Sequence, residues 1–462
     1  MFPLKLLLPL YLLHSFAFAQ HQQPVNHDEY TRDVLRFDLR HYHAVTREAK
    51  VLFHDVTSDE TYSGDGRRIG RTTTIGEDHT SAYNLQTRRI KSRKPRSFDA
   101  YIQARRRSYP HLYSSDSDQE AEAELFEWDD EEAVIAPDTE SRETLLQLAK
   151  MTNNAYLEPG EAGWYDLDGK WNVSYPFGWE PDQDGFRGHV FATPDNSTVV
   201  LSIKGTSATF VGGGGPTSKK DKFNDNLLFS CCCARIDWTW TTVCDCYRGG
   251  YRCDQGCLEQ SLVDDSLFYP IGTNLYNNLT YMYPDSTIWV TGHSLGGALA
   301  SLLGVTFGAP AVAFESPGEK MAAGRLHLLL PPSLQHVTHV YHTADPIAMG
   351  TCNGVFSSCA LGGYAMESRC HLGKQIVYDT VSNLSWAVDI RTHSIGIIIE
   401  RLLSEPWAPS MEEGREVPKE REEDEGCVEC FSWEFGDFPP EDLLYVPYLY
   451  PDINTSRYDD DD

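Results

Sequence analysis

The stretch Asp285–Leu303, DSTIWVTGHSLGGALASLL, is the one around which the chain is organised. Ser286–Thr291 is short, β-branched and apolar, the pattern of a strand buried on both faces. Gly292-His293-Ser294-Leu295-Gly296 follows at once and fits G-x-S-x-G, and Ala298–Leu303 is built of good helix formers. Strand, Gly-flanked turn and helix together make the setting of a nucleophile elbow. Without Cβ atoms at Gly292 and Gly296, strand and helix can close around a serine held in a strained conformation. The helix N-terminus then lies under Ser294, and the Leu295 amide faces a developing oxyanion. The bare five-residue pattern arises often by chance, so the flanking strand and helix carry the reading.

Upstream, Gly188–Thr193 and Thr198–Lys204 alternate apolar and polar residues around Pro194-Asp195-Asn196-Ser197, a hairpin signal. The second of these strands ends at Lys204-Gly205-Thr206-Ser207. There Thr206 is placed to give an amide and a hydroxyl to the oxyanion. Ser141–Asn154 carries Leu145, Leu148, Ala149 and Thr152 at helical spacing, and Ser266–Tyr283 repeats the pattern. Downstream, Phe307–Pro310 reads as a strand end and turn, His336–His342 as a strand, and Gln375–Val381 as another. Asp345 lies just past the His336–His342 strand, in a turn held by Pro346, and suits the orientation of an imidazole. Arg391-Thr392-His393-Ser394 is a loop entering the apolar run Ile395–Ile399. The order Ser294, Asp345, His393 is the one this elbow requires. The competing groups are weaker: His336, His339 and His342 precede the acid and read as packing or surface residues. His371 is pinned beside Cys370, His293 is held inside the turn, and Asp379 and Asp389 have poorer turn contexts.

The chain has 462 residues, 41% of them hydrophobic, with a formal net charge of −29. That balance argues against nucleic acid as a partner and gives no general attraction to anionic lipid. Residues 1–19 pair Lys5 with an apolar run to Phe18 and a small-x-small pattern at Ala17-Phe18-Ala19. This reads as a cleaved secretory signal, with a signal-anchor as the alternative. Residues 20–136 hold opposed blocks of basic and acidic residues and read as a largely disordered stalk. An α/β domain is expected over 137–403, with a Cys-rich insertion at 208–265, and an acidic disordered tail over 404–462. Twelve cysteines in a secretory chain imply disulfides, expected within Cys231–Cys257 and among Cys352, Cys359 and Cys370. Zinc at Cys244-x-Cys246 and Cys253-x-x-x-Cys257 is the lesser alternative. Sequons at Asn172, Asn196, Asn278, Asn383 and Asn454 suit the same compartment.

GHSLGGALASLLG, an upstream KGT and the order Ser, Asp, His resemble the class 3 lipases, the fungal triacylglycerol lipase group. FDLRH, TFGAPAVAFESPGE, YHTADPIAMGTCNG and CHLGK extend the resemblance to the fungal autophagy-related vacuolar lipases. The resemblance implies an α/β-hydrolase fold with disordered charged extensions at both ends. It implies Ser294 as nucleophile, Asp345 as acid and His393 as base, with Leu295 and Thr206 as oxyanion donors, and no metal or organic cofactor. The implied substrates are phospholipids such as phosphatidylserine and neutral glycerides, met at phospholipid and phosphoinositide surfaces. The implied setting is lysis of autophagic bodies and multivesicular-body vesicles in the vacuole, by a single-pass type II protein. The short apolar segment ending in AFA departs from that anchor. A secreted esterase for soluble esters, or a membrane-binding protein with a vestigial triad, are the other readings. The insertion lies where such lipases carry their lid. Its Leu227, Leu228, Phe229, Trp238 and Trp240 are expected to meet lipid, helped by Lys219, Lys220 and Lys222, with packing around the disulfides as the alternative.

Overall fold

The computed structural model describes residues 35, 37–45, 51–55, 61–62, 68–69, 85–92, 132–158, 161–165, 185–207, 218–236, 240–263, 267–328, 335–424 and 426–438. Residues 1–34, Asn172, Trp238, Asn454 and the closing acidic run lie outside them. Eight strands form the central sheet: β1 (Asp38–Val45), β2 (Val51–Asp55), β3 (Arg187–Ala192), β4 (Thr198–Ile203), β5 (Thr287–His293), β6 (Ala311–Phe314), β7 (Val337–His342) and β8 (Lys374–Tyr378). Their order is β8-β7-β6-β5-β4-β3-β1-β2. From β4 to β8 all pairings are parallel, while β3–β4, β1–β3 and β1–β2 are antiparallel.

The parallel strands are rich in apolar, buried residues because both faces are covered. Val199, Leu201 and Ile203 of β4 and Ile288 and Val290 of β5 pack on one face. There they meet helices α3 (Phe268–Met282) and α4 (Leu295–Phe307). Val200, Trp289, Val312 and Val340 point the other way, against Leu145, Leu148 and Met151 of α1 (Arg142–Asn154) and Ile395–Leu403. Ser141 caps α1, its hydroxyl accepting from the Thr144 amide. Trp289 is fully buried and gives its indole N–H to Ile135 O at 2.8 Å. Phe307 proves to be the last residue of α4, not a strand end. Gly308 stops the helix in the left-handed region (φ 62°), and Pro310 follows where no helix can continue.

Two expectations at the ends of the chain need correction. The region read as a stalk supplies β1 and β2, and Thr87–Ser92 pairs with Glu132–Pro137. Phe37, Leu39 and Leu85 have no exposure at all, because a strand needs only alternate apolar positions and the surrounding charge hides so few. Residues 404–438, read as disordered, are laid against the domain. Trp407 and Val417 are buried. Glu420 pairs with Lys374 and accepts from the Thr139 hydroxyl at 2.5 Å, and Glu434–Gly436 runs parallel to Arg252–Asp254.

All twelve cysteines are paired. Cys232–Cys253, Cys233–Cys244, Cys246–Cys257 and Cys352–Cys359 are local, as expected, and they consume the thiols of the zinc alternative. Cys231–Cys430 and Cys370–Cys427 instead carry the tail back to the core across 199 and 57 residues. The insertion is part of that core. α2 (Ser218–Phe229) buries Leu227, Leu228 and Phe229, which therefore face protein and not lipid. Lys222 gives its ammonium to Gly362 O at 2.8 Å and lies over the Tyr364 ring. Lys219 remains exposed, and Lys220 and Trp240 are half-buried.

Candidate active site

Ser294 sits between β5 and α4 at φ 58° and ψ −129°. A non-glycine residue in that region carries about 1–3 kcal/mol of strain, persisting only where the surroundings enforce it. They do so here. A Cβ on Gly292 would lie 2.2 Å from Gly296 O, and one on Gly296 would lie 2.3 Å from Ile203 O. The Ser294 amide is given to Phe314 O at 3.0 Å, and Ala298 N–H returns to Ser294 O at 3.1 Å.

The Ser294 hydroxyl lies 2.8 Å from His393 Nε2, and His393 Nδ1 lies 2.7 Å from Asp345 Oδ2. The other Asp345 oxygen accepts the Ile347 amide at 2.9 Å. Burial pushes the Asp345 carboxyl up, but His393, Glu315 and the Ile347 amide together hold it well below the usual carboxylate range. Asp345 has no solvent exposure, whereas His393 keeps 14% of its side chain open toward the pocket. The competing groups are engaged elsewhere. Asp379 caps Thr380–Leu384 and Asp389 pairs with Arg391. His371 gives Nε2–H to Ala348 O at 2.8 Å, and His339 meets Glu319 at 2.9 Å. His336 is mostly buried, and His342 gives Nε2–H to Thr392 O at 3.1 Å.

His293 does more than fill the turn. Its Nε2–H donates to His393 O at 2.8 Å, so Nδ1 must accept the Tyr156 hydroxyl at 2.7 Å. Burial lowers the His293 pKa to about 3, which keeps the ring neutral and that tautomer fixed. Nothing in the sequence ties Tyr156 to a histidine 137 positions away. On the oxyanion side, Leu295 opens α4, in the first turn, where amides have no acceptor within the helix. Gly205 brings the Thr206 loop against the nucleophile, since a Cβ there would meet Ser294 Cβ at 3.1 Å. The Thr206 hydroxyl donates to Asp225 Oδ2 at 2.6 Å, so the expectation of a directed hydroxyl meets an acid from α2 that already takes it. Burial raises the Asp225 carboxyl to about 8.

Ser294, His393, His293, Tyr156, Thr206 and Asp225 line a cavity of about 390 Å³, together with apolar Leu157, Ile347, Met366, Ile390 and Ile395. Of two uncharged stretches, 349–366 gives Cys359, Tyr364 and Met366 to its lining, and 380–388 precedes the lining residue Ile390. They display Val355 (41% exposed), Phe356 (90%) and Leu361 (78%), with Leu384 and Val388 also open to solvent. Of the sequons described, Asn196 and Asn383 are exposed and Asn278 is half-buried on α3.

Residues 232–350, which contain the elbow and the acid, match the family described as Lipase (class 3). A solved lipase, Lip2 of Yarrowia lipolytica, is 18% identical with a TM-score of 0.29, covering 52% of this chain and 80% of that one. A Cryptococcus neoformans protein named "Putative lipase ATG15" is 62% identical over 293 residues, 63% of this chain. The alignment takes in 56% of that relative's length. A Candida glabrata protein of the same name is 44% identical over 361 residues, covering 76% of this chain and 68% of its own. On that likeness the chain belongs to the fungal ATG15 family of class 3 lipases.

Proposed function

We propose that the protein is a serine lipase that hydrolyses acyl esters of phospholipids, phosphatidylserine among them, and of triacylglycerols presented in lipid aggregates. The observation that carries this is the Ser294–His393–Asp345 hydrogen-bonded run, of which Ser294 and His393 line a largely apolar pocket. Ser294 attacks the ester carbonyl while His393 takes its proton, and Asp345 holds the imidazole and stabilises the imidazolium. The amides of Leu295 and Thr206 hold the tetrahedral oxyanion, each worth about 3 kcal/mol of barrier. His393 then protonates the leaving alcohol, and water activated by the same imidazole releases the acyl group. The uncharged apolar residues around the pocket favour lipid over soluble esters, since a soluble substrate gives no reason to expose Phe356. The likeness to ATG15 lipases supports action on autophagic bodies and multivesicular-body vesicles along the secretory route to the vacuole. Among the described residues no helix is long and apolar enough to cross a membrane. The test is hydrolysis of phosphatidylserine, phosphatidylcholine and triacylglycerol dispersions by the full chain and by Ser294→Ala. Turnover of all three by the wild type and none by the variant is expected. Turnover of a soluble ester alone would refute the lipid reading, and activity surviving in the variant would refute the nucleophile.

A further inference from the structure

The end of β6 carries a carboxyl that the triad does not use. Glu315 follows Phe314 directly, donates its amide to Val340 O at 3.0 Å and adopts φ 43°, a region that glutamate seldom takes. It has no solvent exposure, and neither carboxyl oxygen makes a full hydrogen bond among the described residues, the nearest donor being the His342 backbone N–H. What it faces is the Asp345 carboxylate and the His393 imidazole, the ligating atoms of all three lying within 4.8 Å of one another. His342 Nε2 stands 3.6 Å from Glu315 Oε1, but that N–H is already given to Thr392 O. Burial also lowers the His342 pKa, which keeps that ring neutral. Tyr341, next along β7, gives its hydroxyl to Gln375 at 2.6 Å. Among the described residues no lysine or arginine forms an ion pair with Glu315.

Two buried carboxyls this close, with no cation beside Glu315, cannot both be ionised. Asp345 keeps its charge, because the His393 N–H and the Ile347 amide both point at it. The proton therefore belongs to Glu315, and the acceptor within reach is Asp345. We propose that Glu315 is a positioning residue for the triad acid, a neutral carboxylic acid whose O–H is donated to the Asp345 carboxylate and fixes it against His393. The proposal rests on the ester-hydrolase reading above. Burial first, and the charge on Asp345 second, hold the Glu315 carboxyl well above its ordinary range, as this arrangement needs. Rising pH removes that proton, deletes the donor and sets a like charge beside Asp345. Turnover then falls through kcat and not KM, since Glu315 does not line the pocket.

The experiment is the pH profile of hydrolysis of soluble p-nitrophenyl butyrate by the full chain and by Glu315→Gln. Glutamine keeps a donor toward Asp345 and cannot ionise. The expected result is a profile whose alkaline fall is displaced upward by a pH unit or more, with KM unchanged. A profile superimposable on that of the wild type would overturn the proposal. A second measurement needs neither turnover nor that variant: thermal melting of the Ser294→Ala chain against pH. A carboxyl raised on folding contributes stability that is full below its unfolded pKa and is lost as pH rises toward its folded one. Asp345→Asn in that background removes the like charge and offers Glu315 a donor, so it should flatten the loss. An unchanged slope would overturn the proposal while leaving the nucleophile assignment standing.

Discussion

Phe356 offers the sharpest test of how the pocket meets its substrate. It projects from a loop closed by Cys352–Cys359 and is 90% exposed, so nearly all its apolar surface is open to a partner. Fully burying a phenylalanine side chain is worth about 1.5–3 kcal/mol. Scaled by that exposure, insertion of Phe356 into a bilayer contributes about 2 kcal/mol, or about 30-fold in binding. Phe356→Ser should therefore weaken association with phosphatidylcholine vesicles by about that factor. The fold should change little, because a surface substitution of this kind usually stays within about 0.5 kcal/mol. Co-flotation in the Ser294→Ala background measures binding without digesting the vesicles. Hydrolysis of p-nitrophenyl butyrate in the Ser294 background measures the site itself, and should be unchanged because Phe356 is not among the pocket residues. Leu361→Ser, at 78% exposure, should act in the same direction. Equal losses on vesicle binding and on the soluble ester would show that the loop supports the fold, and undiminished vesicle binding would show that it does not touch lipid.

Ser294→Ala and His393→Ala should each remove essentially all ester hydrolysis, with Asp345→Asn nearly as damaging and the combinations adding little, because the three act as a unit. Kinetics on p-nitrophenyl butyrate would check this, and additive losses would contradict it. Asp225, raised by burial to about 8, contributes stability that is full below the ordinary carboxylate range and lost as pH rises to about 8. Asp225→Asn should thus flatten the fall in melting temperature between acid and mildly alkaline buffer, and an unchanged fall would contradict the assignment. Replacing Cys370 and Cys427 together by serine opens a cross-link spanning 57 residues, for which chain entropy gives about 4 kcal/mol. A lower melting temperature and earlier proteolysis of the tail are expected, and wild-type melting would show that the tail is held without the bridge.

The site was legible in the sequence wherever its chemistry is local. Gly292 and Gly296 declare the elbow because only glycine leaves room for Gly296 O and Ile203 O. Asp345 and His393 declare themselves by turn context and order. The triad is therefore brought together from positions 48 and 99 residues away from His393 without any long-range signal having been read. What stayed hidden depends on partners distant in the chain. Nothing in the sequence singles out Glu315, which gains its meaning only when β7 sets Asp345 beside it. Cys231 and Cys370 look destined for neighbours and instead bind the tail. Leu227, Leu228 and Phe229 look like a membrane face because a short helical run has no periodicity strong enough to say which side is covered. The outer strands β1 and β2 were lost under the charge around them, which composition weighs and a two-residue period does not.

His393 shows why so much of this long-range structure converges on one place. Its ring makes two hydrogen bonds, with Ser294 and Asp345, too few to hold a loop residue in that geometry unaided. Its backbone supplies the rest. His293 Nε2–H takes the His393 carbonyl, and His342 Nε2–H takes that of Thr392. The Thr392 hydroxyl and the Asp389 amide both reach back to Ala344 O, beside the triad acid. His393 is thus hung from the carboxyl ends of β5 and β7, the same two strands that present Ser294 and Asp345. Any movement of its loop relative to Ser294 or Asp345 must break bonds to the element carrying that partner. The neutral histidines at 293 and 342 make this possible, because a charged imidazole there would compete with His393 for Asp345. Burial, which lowers both, is therefore as much a part of this geometry as Ser294, Asp345 and His393 themselves.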